Sequence, residues 1–163
     1  GSLDDRVSAA AAALGQPVTL QEFIAGAEVY APVLSCPNLF TQTPVEAVLD
    51  RAPGDPGAIM TISDNLRHGS VTYRRFEADL EVVNRVRETA LQVAFALPLR
   101  GFARVDVRVD ADGRPWVFDL AVSPGLEDGG AGASSLAEYG FDHASFMRLA
   151  VAATLASEGL LHR

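Results

Sequence analysis

The segment RVDVRVDADGRPWVFDLA, residues 104–121, constrains the fold more than any other part of the chain. Apolar and polar residues alternate on both sides of Asp112-Gly113, the pattern of two half-buried strands joined by a tight turn. A two-residue type I′ turn needs φ > 0 at both central positions, and Asp-Gly is among the pairs that tolerate this best. Centring the turn there pairs Ala111 with Arg114, Val109 with Trp116, Val107 with Phe118 and Val105 with Leu120, an apolar face. The opposite face then carries Arg108 against Val117, Asp106 against Asp119 and Arg104 against Ala121. The two aspartates become direct, non-hydrogen-bonded partners with Cα atoms roughly 4.5 Å apart. Like charges so placed are destabilising unless neutralised. A shared proton, the flanking Arg104 and Arg108, or a divalent cation would each do so. Mg²⁺ is commonly held by one or two carboxylates plus phosphate oxygens, the inventory this face offers. The alternative is a solvated sheet face with arginines as counter-ions.

A hairpin needs a core to cover its apolar face, and 163 residues with 48% hydrophobic content suffice for one ordinary domain. The net charge of −8 argues against a sequence-independent grip on nucleic acid or an anionic membrane surface. All 13 basic residues are arginines, so chemistry that needs a lysine on phosphate must draw it from elsewhere. Cys36, the single cysteine, cannot form an intrachain disulfide and points to a reducing, cytoplasmic setting; it reads as a small hydrophobe rather than a nucleophile. No run approaches about 20 apolar residues and no signal peptide is apparent. Gly1-Ser2 reads as a cloning scar, leaving 3–163 as a single subdomain.

Along the chain, DDRVSAAAAAL (4–14) with Gly15 behind it predicts a short helix. PVTLQEFI (17–24) and EVYAPVLS (28–35) predict a strand hairpin, VEAVLDR fits strand or helix, and APGDPG predicts a loop. AIMTIS (58–63) predicts a buried strand and SVTYRRF another strand. Residues 77–97 give the clearest helix, with a stripe of Leu80, Val83, Val86, Ala90, Leu91, Ala94 and Leu97. GLEDGGAGA predicts a flexible loop, and a last helix is expected over 142–158, capped by Asp142, with Phe146, Leu149, Ala150 and Ala153 inward. Grouped strands with flanking helices and no regular βαβ alternation indicate α+β. His68, His143 and His162 lie too far apart to suggest a zinc site, and GGAG lacks the lysine and setting of a phosphate loop.

Taken together, VTLQEFIAGAEVYAPVL, the helix ending LPLRG, FARVDVRVDADGRPWVFDLAVSPGL and YGFDHASFMRLAVAATL resemble the C-terminal part of an ATP-grasp ligase, nearest to the D-alanine:D-alanine ligase group. The resemblance is strong over about 18–36 and 99–158. It implies a mainly antiparallel sheet flanked by helices, ATP and Mg²⁺ as cofactors, small-molecule carboxylate and amine substrates, and a reaction through an acyl phosphate; a homodimer is compatible with it. By position, Gln21, Glu22, Phe23 and Ile24 match the hinge strand beside the adenine, and Glu28 matches the acceptor of the ribose hydroxyls. Arg104 matches the arginine that steadies the transferring phosphoryl group, and Asp106 and Asp119 match the metal carboxylates.

The departures are specific. DLAVSPG puts Asp119 where the family's second ligand is usually glutamate, and Ala121 where an asparagine follows it. Gly130 falls where a substrate-binding serine is expected, with Ser134 and Ser135 close by. The family's Gly-rich lid, its lysines and its N-terminal substrate domain are expected before residue 1, so the isolated chain is expected to be inactive. Two further readings remain open: a degenerate module with a regulatory role, and a protein-interaction domain using the acidic Gly-rich loop.

Overall fold

Ala27, Val29, Ala31 and Val33 alternate with Glu28, Tyr30, Pro32 and Leu34. In the computed structural model, which describes residues 1–36, 38–50, 59–67 and 69–160, this run forms the central strand β1 (Ala27–Cys36). It is followed by β2 (Asn38–Thr41), β3 (Val45–Leu49), β4 (Val71–Arg75), β5 (Gly101–Val109) and β6 (Pro115–Ala121). The strands make one open antiparallel sheet in the order β4-β3-β1-β5-β6, with β2 on β1. Five helices accompany it among the described residues: α1 (Leu3–Leu14), α2 (Ile62–Leu66), α3 (Leu80–Ala96), α4 (Ala131–Ala137) and α5 (His143–Ser157). This is the α+β arrangement expected from the sequence.

Each sheet face has its own cover. Val86, Ala90 and Ala94 of α3, a period-four stripe, pack on Val29, Ala31, Val33, Val105 and Val107. The small alanines let the helix lie close to the valine-rich face. Leu80 and Leu97, expected on that stripe, sit at the helix limits and are exposed. On the other face, Leu34 and Phe102 meet α4 and α5 through Leu136, Phe146, Ala150 and Ala153. Asp142 caps α5 as expected, its carboxylate accepting from the Ser145 N–H at 2.8 Å. The start of α4 reaches the neighbouring row as well, where Ala131 packs with Tyr30 and Val45, and Tyr30 and Asp106 are both buried.

Several expectations are corrected. Residues 17–24 form no strand and no hairpin with β1, because β1 already pairs β3 and β2 on one side and β5 on the other. The AIMTIS run ends in a helix instead of a strand. Thr61 and Asp64 form a capping box, with Thr61 Oγ1 accepting from the Asp64 N–H and Asp64 accepting from the Thr61 N–H at 2.7 Å. Part of the expected flexible loop is α4, where Gly132 has no Cβ because the rings of Phe102 and Phe146 occupy that space. Independently of those corrections, Ser2 caps the expected helix α1 through a capping box with Asp5. The ambiguous VEAVLDR is strand β3. The loop at 52–57, His68, His162 and the Cys36 side chain lie outside the described residues.

The turn of the 104–121 hairpin is also corrected. The Asp110 carboxylate accepts from the N–H groups of Asp112 and Arg114 and from Trp116 Nε1, at 3.0, 2.9 and 2.8 Å. That anchor selects a three-residue loop in which Gly113 alone has φ > 0, at 70°, and the Gly113 N–H bonds to the Asp110 carbonyl. Near the turn the register is therefore one residue off the expectation, with Val107 opposite Val117, Arg108 opposite Trp116 and Val109 opposite Pro115. An irregularity between Asp106 and Val107 leaves Phe118 as the extra residue. It restores the expected pairs Asp106–Asp119, Val105–Leu120 and Arg104–Ala121. The aspartates face each other because two one-residue departures cancel.

Candidate functional site

Side chains alternate along β1 and β5, and the extra residue Phe118 in β6 keeps both Trp116 and Asp119 opposite that pattern, so registered residues form rows across one sheet face. The row Glu28–Arg108–Trp116 lies beside Tyr30–Asp106–Asp119, and Pro32–Arg104–Ala121 comes next. Successive rows are two residues, or roughly 6–7 Å, apart along the strands. The carboxylates and arginines singled out by their spacing thus occupy one strip, and Tyr30 joins them there.

At one end of the strip is a cleft of about 400 Å³. Gln21, Glu22, Phe23 and Ile24 form one wall, without being a strand. Ile59, Trp116, Val117 and Phe118 contribute apolar surface that is otherwise exposed. Glu28 and Arg108 bring the polar groups. An apolar slot with a few convergent polar groups is the usual form of a small-molecule site.

The interior of the strip is an alternating chain of charges. Arg104 grips Asp106 with both arms, Nε to Oδ1 and Nη2 to Oδ2, each at 2.7 Å. The same guanidinium lies 4.0 Å above the Tyr30 ring. Tyr30 Oη donates to Glu28 Oε1 at 2.8 Å, and Arg108 Nη1 donates to Glu28 Oε2 at 3.2 Å. Arg108 also donates to the Gly26 carbonyl at 2.7 Å and lies 4.8 Å over the Phe23 ring. Asp119 is exposed, and its Oδ1 accepts from the Leu120 N–H. Tyr30 was not singled out by its spacing. Its signal was the β1 alternation, which places it beside Glu28 once β1 is set against β5.

Burial dominates the electrostatics. Asp106 is 2% exposed, and desolvation raises its pKa to about 6 despite the opposing Arg104 ion pair, with Asp119 and Glu28 adding to the rise. Burial likewise pushes the Tyr30 phenol well above its ordinary range, assisted by Glu28 and Asp106, so it remains a proton donor. Desolvation opposes the charge on Arg104, but its bond to Asp106 outweighs this and raises its pKa. The folded chain therefore holds the Asp106 proton more tightly than the unfolded chain does. Stability is expected to fall as pH rises from about 4 to about 6 and to level off above, by up to about 3 kcal/mol from this group. Urea unfolding across that range, with Asp106→Asn as the control lacking this component, checks the sign.

The donor set can be tested against a magnesium ion. Each Asp106 oxygen receives one bond from Arg104 and keeps a second lone pair, and Asp119 is exposed with Oδ1 engaged by the Leu120 N–H. Two facing carboxylates suit a single ion completed by phosphate oxygens. They do not make a protein-only cage: among the described residues there is no group of three or more His, Cys, Asp or Glu side chains placed to hold a metal. Ala121 faces Arg104 and offers no donor.

The Gly-rich end of the site departs in the same sense. Gly130 begins α4, and a Cβ there would meet Glu127 Oε1 at 2.7 Å. Ser134 Oγ donates to the Gly129 carbonyl and Ser135 Oγ to the Thr43 carbonyl, at 3.2 and 2.6 Å. Both hydroxyls are engaged with backbone. His143 Nε2 lies 2.7 Å from the Leu126 carbonyl, away from the strip.

The family model described as D-ala D-ala ligase C-terminus matches residues 2–151. The D-alanine–D-alanine ligase of Cupriavidus necator is 28% identical over 146 residues, 89% of this chain and 43% of that protein. The corresponding ligase of Bordetella petrii is 31% identical over 120 residues, 72% of this chain and 35% of its own. The chain thus spans less than half the length of the curated relatives it matches. Among solved structures, a Bacillus anthracis D-alanine–D-alanine ligase complexed with ATP aligns with a TM-score of 0.70 at 18% identity, covering 94% of this chain and 48% of that one. The VanG D-Ala:D-Ser ligase of Enterococcus faecalis aligns with a TM-score of 0.60 at 21% identity, covering 85% and 37%. No helix among the described residues is long and apolar enough to cross a membrane.

Proposed function

Since this chain belongs to the D-ala D-ala ligase C-terminal family, we propose that it is the ATP- and Mg²⁺-binding part of an ATP-dependent carboxylate–amine ligase that works through an acyl phosphate. The observation that carries the proposal is the single strip running from an apolar cleft, past Glu28, to the facing Asp106 and Asp119. Its order follows the order of groups in a nucleoside triphosphate. The cleft takes the base beside Gln21–Ile24, Glu28 accepts from the ribose hydroxyls, and the aspartates lie under the phosphates. Asp106 and Asp119 would hold Mg²⁺, which neutralises phosphate charge when bound. Arg104 is placed to donate to the transferring phosphoryl oxygens, for which its planar fork is suited. Tyr30 keeps its proton and fills the space under Arg104, excluding water from the floor of the strip.

Small carboxylate and amine substrates follow from the family and belong to the whole protein. Calorimetry on the full-length protein is expected to find Mg²⁺-dependent ATP binding, and a substrate panel is expected to find amine-dependent ADP release. Failure of both, in a folded protein, would overturn the proposal.

A second reading is a degenerate module that keeps the fold and serves a regulatory or protein-interaction role. It is favoured by Ala121, by Gly130 and by the closed Arg104–Asp106 pair. Ala121→Asn discriminates the two in combination with the ADP assay. Tighter Mg²⁺ binding in the variant, with no turnover in the parent, would support the degenerate module.

A further inference from the structure

Glu28 is gripped from two sides by residues that the ligase reading does not require. Tyr30, 2% exposed, donates its hydroxyl to Oε1, and Arg108, 8% exposed, donates Nη1 to Oε2. Arg108 is itself fixed by its 2.7 Å bond to the Gly26 carbonyl and by the Phe23 ring beneath its guanidinium. Tyr30 is fixed between the Arg104 guanidinium and the Tyr73 ring, whose centroid is 5.6 Å from its own. An ionised carboxylate has about four lone-pair sites. Two are used by these donors, and one on each oxygen remains. A glutamate near the end of a strand would otherwise sample several rotamers and lose that freedom on binding a ligand. Here the loss has already occurred on folding, which is preorganisation in the strict sense.

We propose that Tyr30 and Arg108 are positioning residues that hold both Glu28 oxygens ready for the 2′- and 3′-hydroxyls of a ribose, so that sugar discrimination at this site is a property of the three-residue network. The inference rests on the nucleotide reading of the cleft. Arg108 also ties the acceptor to the wall of the cleft: the guanidinium that orients Glu28 is stacked on Phe23, one of the residues beside the base. The position of the sugar acceptor relative to the base wall is thus set by one side chain.

The test compares binding of Mg-ATP and Mg-2′,3′-dideoxy-ATP to the full-length protein by calorimetry. Wild-type protein is expected to prefer ATP by about 10- to 100-fold, the range for one or two charge-assisted hydrogen bonds. In Tyr30→Phe, which removes one oxygen from a buried ring, ATP affinity is expected to fall about tenfold. Dideoxy-ATP affinity should change by less than about twofold. Arg108→Lys, which keeps the charge but loses the fork, is expected to narrow the ratio in the same direction. Glu28→Gln sets the limit of lost discrimination. A ratio preserved in both Tyr30→Phe and Arg108→Lys would overturn the inference, as would an equal loss for both nucleotides, which marks a merely structural role. Failure of the wild-type protein to bind either nucleotide would instead overturn the nucleotide reading.

Discussion

Asp106→Asn is expected to weaken Mg²⁺-dependent ATP binding about a hundredfold or more in the full-length protein, with no loss of fold. The binding effect follows from the donor set, in which only Asp106 and Asp119 face each other on the strip and Ala121 adds nothing. Removing one of two charged ligands halves the protein's charge on the ion, and charge stabilisation of this kind is worth several kcal/mol. The fold should survive because the site disfavours the ionised form of Asp106, whose pKa stands at about 6 through burial. A neutral isostere removes that desolvation cost and still offers one oxygen to Arg104. The melting temperature at neutral pH is nonetheless expected to fall modestly, because the largely buried Arg104 keeps a neutral acceptor in place of its ion-pair partner. Asp119→Asn, at an exposed position, should weaken Mg²⁺-dependent binding in the same direction. Calorimetry at matched Mg²⁺ and ATP concentrations reads both variants. Unchanged affinity in both would remove this hairpin as the metal site and leave arginine-neutralised carboxylates as the reading of the strip.

Phe146→Ala is expected to give the largest loss of stability from a single truncation, about 3–5 kcal/mol. Phe146 is fully buried, and its ring meets Phe102 edge-on with centroids 5.2 Å apart. Both rings press into the space left by the missing Cβ of Gly132. The ring therefore joins α5, α4 and the sheet at one point. In a chain of this length the loss corresponds to a fall of roughly 6–20 °C in melting temperature. Thermal unfolding checks it, with Phe146→Leu expected to lose much less. A fall under about 1 kcal/mol would mean that the helices close the gap.

Much of this was legible because local signals act through local physics. The stripe Val86, Ala90, Ala94, the Asp142 cap and the inward Phe146, Ala150 and Ala153 all emerged from period and capping chemistry. The hinge segment was not legible as coil, since PVTLQEFI alternates well enough for a strand. What denies it a strand is the lack of a free edge on β1, a property of the sheet and not of the segment. The helix α2 was within reach, because Thr61 and Asp64 have the spacing of a capping box. The apolar residues around them outweighed it. Tyr30 was hidden for a third reason: its significance depends on Asp106 and Arg104, more than seventy residues away, becoming its neighbours.

The alternation that puts Arg104, Asp106 and Arg108 on one face of a strand, and the ordered motifs that mark the family, are written in the chain's local pattern. Side-chain direction along a strand has a period of two, so one face follows from the chain alone. Tertiary structure decided what those residues do to each other. The Asp110 anchor moved the turn, Phe118 moved the register back, and only their combination left Asp106 opposite Asp119. Pairing with β1 then brought Glu28 to Arg108 and Tyr30 to Asp106. Burial under that pairing raised the Asp106 pKa and fixed Glu28 between two donors. Register and burial are properties of the assembled sheet, because each depends on partners that no single segment contains.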